Sequence, residues 1–222
     1  MKNQFLGCKI DTSKKVLEPR LETEFWTKEA IKEIAHSTRP VGSLRVSPGL
    51  SRPNVLDIFA GSGCIGIAVL KNTNAFVDFV DISKNAIEQI KVNLLINKIA
   101  NSRYKIIQSD IFSKLKGKKY DFILANPPYV ALDRIKEVDS DVLRKEPKEA
   151  LLAGKEGMFF IKKLLGQVKN HLNENGILFM EFDPQQKEKI KKILEKNNFK
   201  YQFKKDQFNK VRFAVVKERE ET

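Results

Sequence analysis

Apolar positions fall into two patterns along the chain. Short, nearly continuous apolar runs bounded by glycine, proline or asparagine read as strands buried on both faces of a sheet. They cover Val55 to Ile58, residues 76–82, Tyr104 to Gln108, Phe122 to Ala125 and Ile177 to Phe182. Between them, apolar residues recur at helical spacing from Ser83 to about Asn97, from Gly157 to Leu172 and from Gln185 to Leu194, with Ser83 placed to cap the first of these helices. Such alternation predicts an α/β domain built on a mostly parallel, doubly wound sheet. Lys200 to Lys205 and Val211 to Val216 predict a closing antiparallel hairpin. At the other end, weak alternation over residues 4–18 around Asp11-Thr12-Ser13 predicts an N-terminal β-hairpin. A helix follows it, with Phe25, Trp26, Ile31, Ile34 and Ala35 on its apolar side.

These elements divide the chain into an N-terminal hairpin and helix (1–36) packed on the domain that follows, and a connector rich in proline, glycine and serine (37–53). The α/β domain itself runs over 54–217, with a frayed tail at 218–222. The segment from Val130 to Gly157 carries few strand signals and is too long for an idle connection, so a lid or substrate-docking loop is expected there. Its acids, Glu137, Asp139, Asp141, Glu146 and Glu149, are expected to be solvated.

Composition narrows the setting. Lys plus Arg is 41 against 28 for Asp plus Glu, a net charge of +13 that suits an anionic partner, either nucleic acid or an acidic protein surface. The only cysteines, Cys8 and Cys64, have no CxxC spacing and no neighbouring histidine. Neither a zinc site nor a disulfide framework can therefore be argued, and a reducing, cytoplasmic setting fits. Leu6-Gly7-Cys8 resembles a lipoprotein cleavage site but no apolar run precedes it, and no stretch of the chain is apolar enough to span a membrane. His36 and His171 are expected on the surface.

The candidate chemistry begins at Asn126-Pro127-Pro128-Tyr129, delivered to the carboxyl end of a buried strand, the edge where open α/β sheets bind ligands. Asn126 offers a side-chain carbonyl oxygen, and the two prolines, lacking N–H groups, leave backbone carbonyl oxygens free to accept. The set suits a planar NH2 group on a carboxamide or an adenine, with Tyr129 stacking on it. Upstream, the strand ending at Asp57 and Ile58 enters Phe59-Ala60-Gly61-Ser62-Gly63 and then Gly66. The Gly-x-Gly-x-x-Gly spacing with Asp81 about twenty residues on also satisfies a dinucleotide fingerprint. Asp57 separates the readings: a carboxylate there opposes a pyrophosphate but suits the ammonium of a methionine moiety, which favours S-adenosylmethionine. Asp81 is then placed to accept both ribose hydroxyls, and Asp110 the adenine amine, with Ile111 against the ring.

Taken together, these residues resemble the HemK/PrmC-type release-factor glutamine methyltransferases, which are class I S-adenosylmethionine-dependent enzymes with a Rossmann-like fold. The resemblance runs through nearly the whole chain. It includes Pro19-Arg20-x-Glu22-Thr23-Glu24, the glycine loop, Asp81, Asp110, Asn126-Pro127-Pro128-Tyr129, and Glu146-Pro147 with Ala150-Leu151 and Gly154-x-x-Gly157. Glu181 with a glutamine four or five residues later, and Asp206 with Arg212, complete it. The family commonly has proline at the position of Leu21 and glycine at that of Phe59. The Asp-x-Phe-x-Gly-Ser-Gly loop is also similar to rRNA guanine methyltransferases, which carry Asp-Pro-Pro rather than Asn-Pro-Pro.

The resemblance implies transfer of a methyl group to a glutamine side-chain nitrogen of a peptide chain release factor by a monomeric enzyme. Most bacterial members carry an N-terminal helical domain that docks the release factor, and this chain begins where the catalytic domain would. Either it is a naturally short member, or docking falls to the hairpin, the segment after Tyr129 and the basic surface. Two other functions fit the residues: methylation of a flipped adenine or guanine, and a non-catalytic module binding RNA or the ribosome.

Overall fold

The computed structural model describes residues 2–37, 52–137 and 147–219. Most of the connector, together with Asp139, Asp141, Glu146 and the last three residues, lies outside the described residues.

Two short strands, β1 (Lys2–Phe5) and β2 (Cys8–Asp11), form the N-terminal hairpin, and α1 spans Leu21–Ser37. The α/β core then runs β3 (Asn54–Ile58), α2 (Cys64–Asn72), β4 (Phe76–Asp81), α3 (Lys84–Ile96), β5 (Tyr104–Gln108) and β6 (Tyr120–Ala125). After it come α4 (Lys148–Leu151), α5 (Phe159–Leu165), β7 (Leu172–Glu181), α6 (Lys187–Lys196), β8 (Phe199–Lys205) and β9 (Val211–Glu218). Among the described residues, seven strands make one sheet in the order β5-β4-β3-β6-β7-β9-β8. The first five are mutually parallel, and β9 runs antiparallel to both β7 and β8. The expected doubly wound sheet and closing hairpin are therefore present.

The topology positions the site. From β3 the chain winds outward through β4 and β5, then returns to lay β6 on the other side of β3, so a crevice opens at the carboxyl ends of β3 and β6. Ile58 pairs with Ala125, which makes Phe59 and Asn126 leave the sheet side by side. One apolar layer packs Trp26, Ile34 and Ile67 from the helices against Val55 and Phe79 of the sheet. The opposite layer packs Ile161, Leu164 and Ile190 against Leu56, Ile123 and Leu178. Fully burying side chains of this size is worth about 1.5–3 kcal/mol each, and these two layers hold the strand ends in register.

Three expectations are corrected. The hairpin turns at Leu6-Gly7, both at positive φ (45° and 79°), and not at Asp11-Thr12-Ser13. A two-residue loop with both central residues left-handed matches the strand twist, whereas Asp11 closes a separate turn by accepting from the Ser13 N–H and hydroxyl. The expected long helix from Gly157 to Leu172 is α5 followed, after Gly166, by a 3-10 turn at Val168–His171. Within that turn His171 is buried rather than on the surface: its ring stacks on Phe112 at 4.2 Å and Nδ1 lies 2.9 Å from the Lys118 carbonyl oxygen.

The polar side of α3 has a role that composition did not reveal. Gln89, Asn93 and Asn97, one turn apart, are buried against β2 and the turn after it. Asn93 accepts from the Asp11 N–H and donates to its carbonyl, Asn97 does the same for Lys9, and Gln89 accepts from the Lys14 N–H. This amide row satisfies the outer edge of β2 as a neighbouring strand would, and Asn93 also donates to the Ser62 carbonyl, tying the hairpin to the glycine loop.

Candidate active site

At the carboxyl ends of β3 to β6 lies a cavity of about 620 Å3, a size that holds a small-molecule ligand. Its walls include Phe59, Ala60, Gly61 and Ser62 from the glycine loop, together with Asp81. Asp110 and Ile111 follow from the β5 end, and Asn126 and Pro128 from the β6 end. The strand ends thus bring most of the predicted residues to one place.

The loop is shaped by backbone geometry. Phe59, Gly61 and Gly63 all have positive φ (60°, 53° and 77°), and the Gly63 N–H closes the turn on the Ala60 carbonyl. Phe59 occupies a left-handed position where glycine is at no steric cost, and its ring packs edge-on against Phe160, 5.8 Å away on the cavity wall. Ile111, β-branched and also at positive φ (47°), presents its apolar side chain to the same cavity. A branched residue in that region is strained, and the strain is held at the site by the surrounding packing.

Asp81 ties the loop to β4. Its Oδ2 accepts from the Gly61 N–H at 2.9 Å and its Oδ1 from the Ser83 N–H at 2.8 Å, leaving on each oxygen a further lone pair for a ligand. Burial raises its pKa, against the opposing effect of these backbone donors. Asp110 lines the cavity with its Oδ2 held by Lys163 at 2.6 Å.

Asp57 is not where the sequence reading put it. Its carboxylate is fully buried and does not line the cavity: Oδ2 accepts from the Gly66 N–H at 2.8 Å and Oδ1 has no hydrogen-bond partner among the described residues. Strand alternation explains this, since Asp57 shares a face with Val55 and points toward α2 rather than out of the strand end. Desolvation pushes its pKa well up, so the group is a brace under the loop and not an exposed counter-charge for an ammonium. Gly66 must lack a side chain for this brace, because a Cβ there would overlap the Phe79 ring and stand 2.9 Å from Asp57 Oδ2.

Nor do Gly63, Pro127 and Tyr129 line the cavity. Gly63 caps α2 and Pro127 is buried. Tyr129 donates its hydroxyl to Glu181 Oε1 at 3.1 Å while its ring packs on the apolar layer beside α5 and α6, which replaces the expected stacking on a ligand. Burial and the neighbouring Glu181 carboxylate hold that hydroxyl in its protonated form, its pKa well above the usual value.

Sequence reasoning missed several residues. Lys15 to Arg20 and Thr23 form one wall of the cavity, so the Pro-Arg-x-Glu-Thr-Glu block lies on the site. Thr23 donates to Glu181 Oε2 at 2.7 Å and receives the Asn126 side-chain amide at 3.3 Å, while Trp26 Nε1 donates to the same Glu181 oxygen at 2.6 Å. Contacts spanning more than a hundred residues leave no local spacing signal. The described part of the segment after Tyr129 folds back on itself, Val130 bridging to Leu152, and contributes Pro147, Ala150 and Leu152 to the wall. Gln186 is the glutamine that accompanies Glu181, and its Nε2 donates to the Tyr129 and Gly157 carbonyls.

Comparison with known proteins agrees with this geometry. Residues 43–151 match the family model described as Methyltransferase small domain. The chain is 33% identical over 198 residues to the release factor glutamine methyltransferase of Fusobacterium nucleatum, covering 88% of this chain and 52% of that protein. It is 35% identical over 196 residues to that of Rhodopirellula baltica, covering 87% and 63%. The chain thus spans between about half and two thirds of the length of these relatives. A solved putative methyltransferase complexed with SAH shares the fold, with a TM-score of 0.61 at 17% identity over 95% of this chain and 53% of that one. The cavity fits the corresponding methyl donor, S-adenosylmethionine, in its volume, in the spare lone pairs of Asp81 and in the apolar contact surface of Ile111. With the strand order, the glycine loop and the Asn-Pro-Pro-Tyr turn all in place, the chain belongs to the release factor glutamine methyltransferase family of class I S-adenosylmethionine-dependent enzymes.

Proposed function

We propose that this chain methylates the side-chain amide nitrogen of a glutamine in a peptide chain release factor. The observation that carries the reading is that the Asn126 amide stands on the wall of the same cavity as the glycine loop and Asp81. An acceptor held by Asn126 is then adjacent to a donor held by the loop. In this reading Phe59 to Ser62, Asp81, Asp110 and Ile111 bind S-adenosylmethionine, Asp57, Gly63 and Pro127 set the loop and turn from beneath, and Asn126 on the cavity wall receives the acceptor NH2. Pro128 and Tyr129 fix the shape of the turn.

The cofactor supplies a methyl group already activated on a sulfonium, so the protein need only align the acceptor nitrogen and exclude water. An amide hydrogen held by Asn126 Oδ1 fixes the acceptor group so that the nitrogen lone pair faces the methyl group, and the proton leaves afterwards to water. A site made of acceptors discriminates against the carboxylate of glutamate by about 10⁴-fold, because its oxygens would face an anion with no hydrogen to give.

Residues 54–217 act here as the methyltransferase domain, with 1–36 completing its wall and the net charge of +13 available to an acidic docking surface or to nucleic acid. No helix among the described residues is long and apolar enough to cross a membrane. Both cysteines are free and buried, and burial raises their thiol pKa values, Cys8 to about 11 and Cys64 to about 12, which leaves both unreactive.

The test offers labelled S-adenosylmethionine with a release factor, total RNA and DNA side by side. Label is expected in the release factor, at glutamine. Label in nucleic acid alone supports a base methyltransferase, and no label anywhere supports a binding module. A second measurement addresses the cofactor: Asp81→Ala is expected to weaken S-adenosylmethionine binding by about 30-fold or more in calorimetry, the loss of at least one charge-assisted hydrogen bond. Unchanged affinity removes Asp81 from the site.

A further inference from the structure

Glu181 is only 1% exposed and does not itself line the cavity, yet three neutral donors converge on it from two elements: Thr23 and Trp26 from α1, and Tyr129 from the turn after β6. A carboxylate so deeply buried is costly, and a hydrophobic residue would fill the space at less expense. What it does becomes clear one bond further on. We propose that Glu181, acting through Thr23, fixes which way round the Asn126 amide sits, and thereby makes the site select a primary amide over a carboxylate. The inference rests on the reading above that Asn126 receives the acceptor.

A threonine hydroxyl has one hydrogen to give. Here it goes to Glu181 Oε2 at 2.7 Å, a bond to a charged acceptor and so stronger than one to a neutral amide oxygen. With that hydrogen committed, Thr23 Oγ1 is left only as an acceptor, and the Asn126 side chain meets it with Nδ2 at 3.3 Å. Oδ1 is then the free end of the amide. In the flipped amide two acceptor oxygens would face each other across the Thr23 contact, and Nδ2 would point at the acceptor group. A flipped Asn126 would donate to a carboxylate and repel an NH2, so the order of donors and acceptors from Glu181 through Thr23 sets the polarity of the site. Burial raises the Glu181 pKa; against it act the three donors, each giving its hydrogen to a carboxylate oxygen, and Arg212 on β9, itself paired with Asp206 at 3.2 Å, all of which favour the ionised form. Glu181 and Thr23 are positioning residues, since each acts through Asn126.

The experiment compares wild type, Thr23→Val, Thr23→Ser and the double variant Thr23→Val/Glu181→Leu. Each is given a release factor with its acceptor glutamine and the same factor with glutamate there, the first read as kcat and KM and the second as an inhibition constant. Thr23→Val, nearly isosteric, is expected to lower kcat by about 10²-fold, the scale of a misaligned acceptor, with cofactor affinity unchanged. Its preference for the glutamine over the glutamate factor should fall about tenfold or more. Thr23→Ser keeps the hydroxyl and should recover most of both losses. The double variant should show no further loss of preference, as expected for residues acting in series.

A Thr23→Val enzyme with wild-type preference overturns the inference, whether its rate is normal or reduced, because a merely structural hydroxyl would lower stability and rate without changing which acceptor is favoured. Failure of the double variant to fold does not matter, since the single variants carry the ratio. If wild type transfers no methyl to glutamine, the functional reading fails and takes this inference with it. The wild-type arm reads the first failure and the ratio between variants reads the second.

Discussion

Asn126→Ala is expected to bring methyl transfer to background while S-adenosylmethionine still binds. The side chain is placed to give the acceptor nitrogen its fixed oxygen partner, and the register of Ile58 against Ala125 puts it beside the glycine loop. Removing one preorganised hydrogen-bonding group from a water-excluded site costs about 10²–10³ in rate. Here the same group also aligns the nucleophile, so misalignment multiplies that loss. Cofactor affinity should survive, because Asp81 and the loop backbone are held by their own bonds: the Gly61 and Ser83 N–H groups on Asp81, and the Gly63 N–H on Ala60. Single-turnover transfer of labelled methyl groups, with calorimetry of the cofactor, separates the two effects. Full activity in the variant refutes the site.

What the sequence disclosed and what it hid follow from the range of the interactions. The strand runs were legible because burial on both faces leaves them continuously apolar, and the Ser83 cap because a helix start is local: its side chain accepts from the Ala86 N–H, three residues on. Asp81, Asp110 and Asn126 were legible as strand-end residues for the same reason. Asp57 was misread by a single step of the strand, since the residue before the last one points to a face and not out of the end. Tyr129 was read from its chemistry as a stacking ring, but a buried acceptor, Glu181, claims its hydroxyl. The amide row of α3 left no signal in the sequence, because polarity does not tell water from the edge of a strand eighty residues away. Thr23 and Glu181 were noticed as parts of recurring blocks, but only their meeting in space, across 158 positions, gives them a function.

Gly157→Ala is expected to destabilise the protein by about 3 kcal/mol, and Gly154→Ala by only about 1. Both glycines are left-handed, at φ +69° and +77°, and each would pay roughly 1–2 kcal/mol on gaining a Cβ. Their surroundings differ. A Cβ at Gly154 meets only the Phe159 Cβ at 3.7 Å, an ordinary contact, whereas at Gly157 it overlaps the Tyr129 carbonyl oxygen and falls 2.6 Å from Gln186 Nε2. Forcing atoms into such a site adds about 1–3 kcal/mol. Gln186 cannot simply move aside, because its amide is fully engaged: Oε1 accepts from the Asp183 N–H, and Nε2 donates to the Tyr129 carbonyl at 2.9 Å and the Gly157 carbonyl at 3.0 Å. The Tyr129 backbone must therefore shift, and it carries the turn that presents Asn126. For a chain of this length each kcal/mol corresponds to roughly 2–4 °C, so thermal melts should place Gly157→Ala several degrees below Gly154→Ala. At a temperature where both remain folded, the first should also lose kcat while the second keeps it. Equal melting temperatures for the two variants would show that Gly157 serves only its own backbone angle and that the Tyr129 turn does not depend on this close approach.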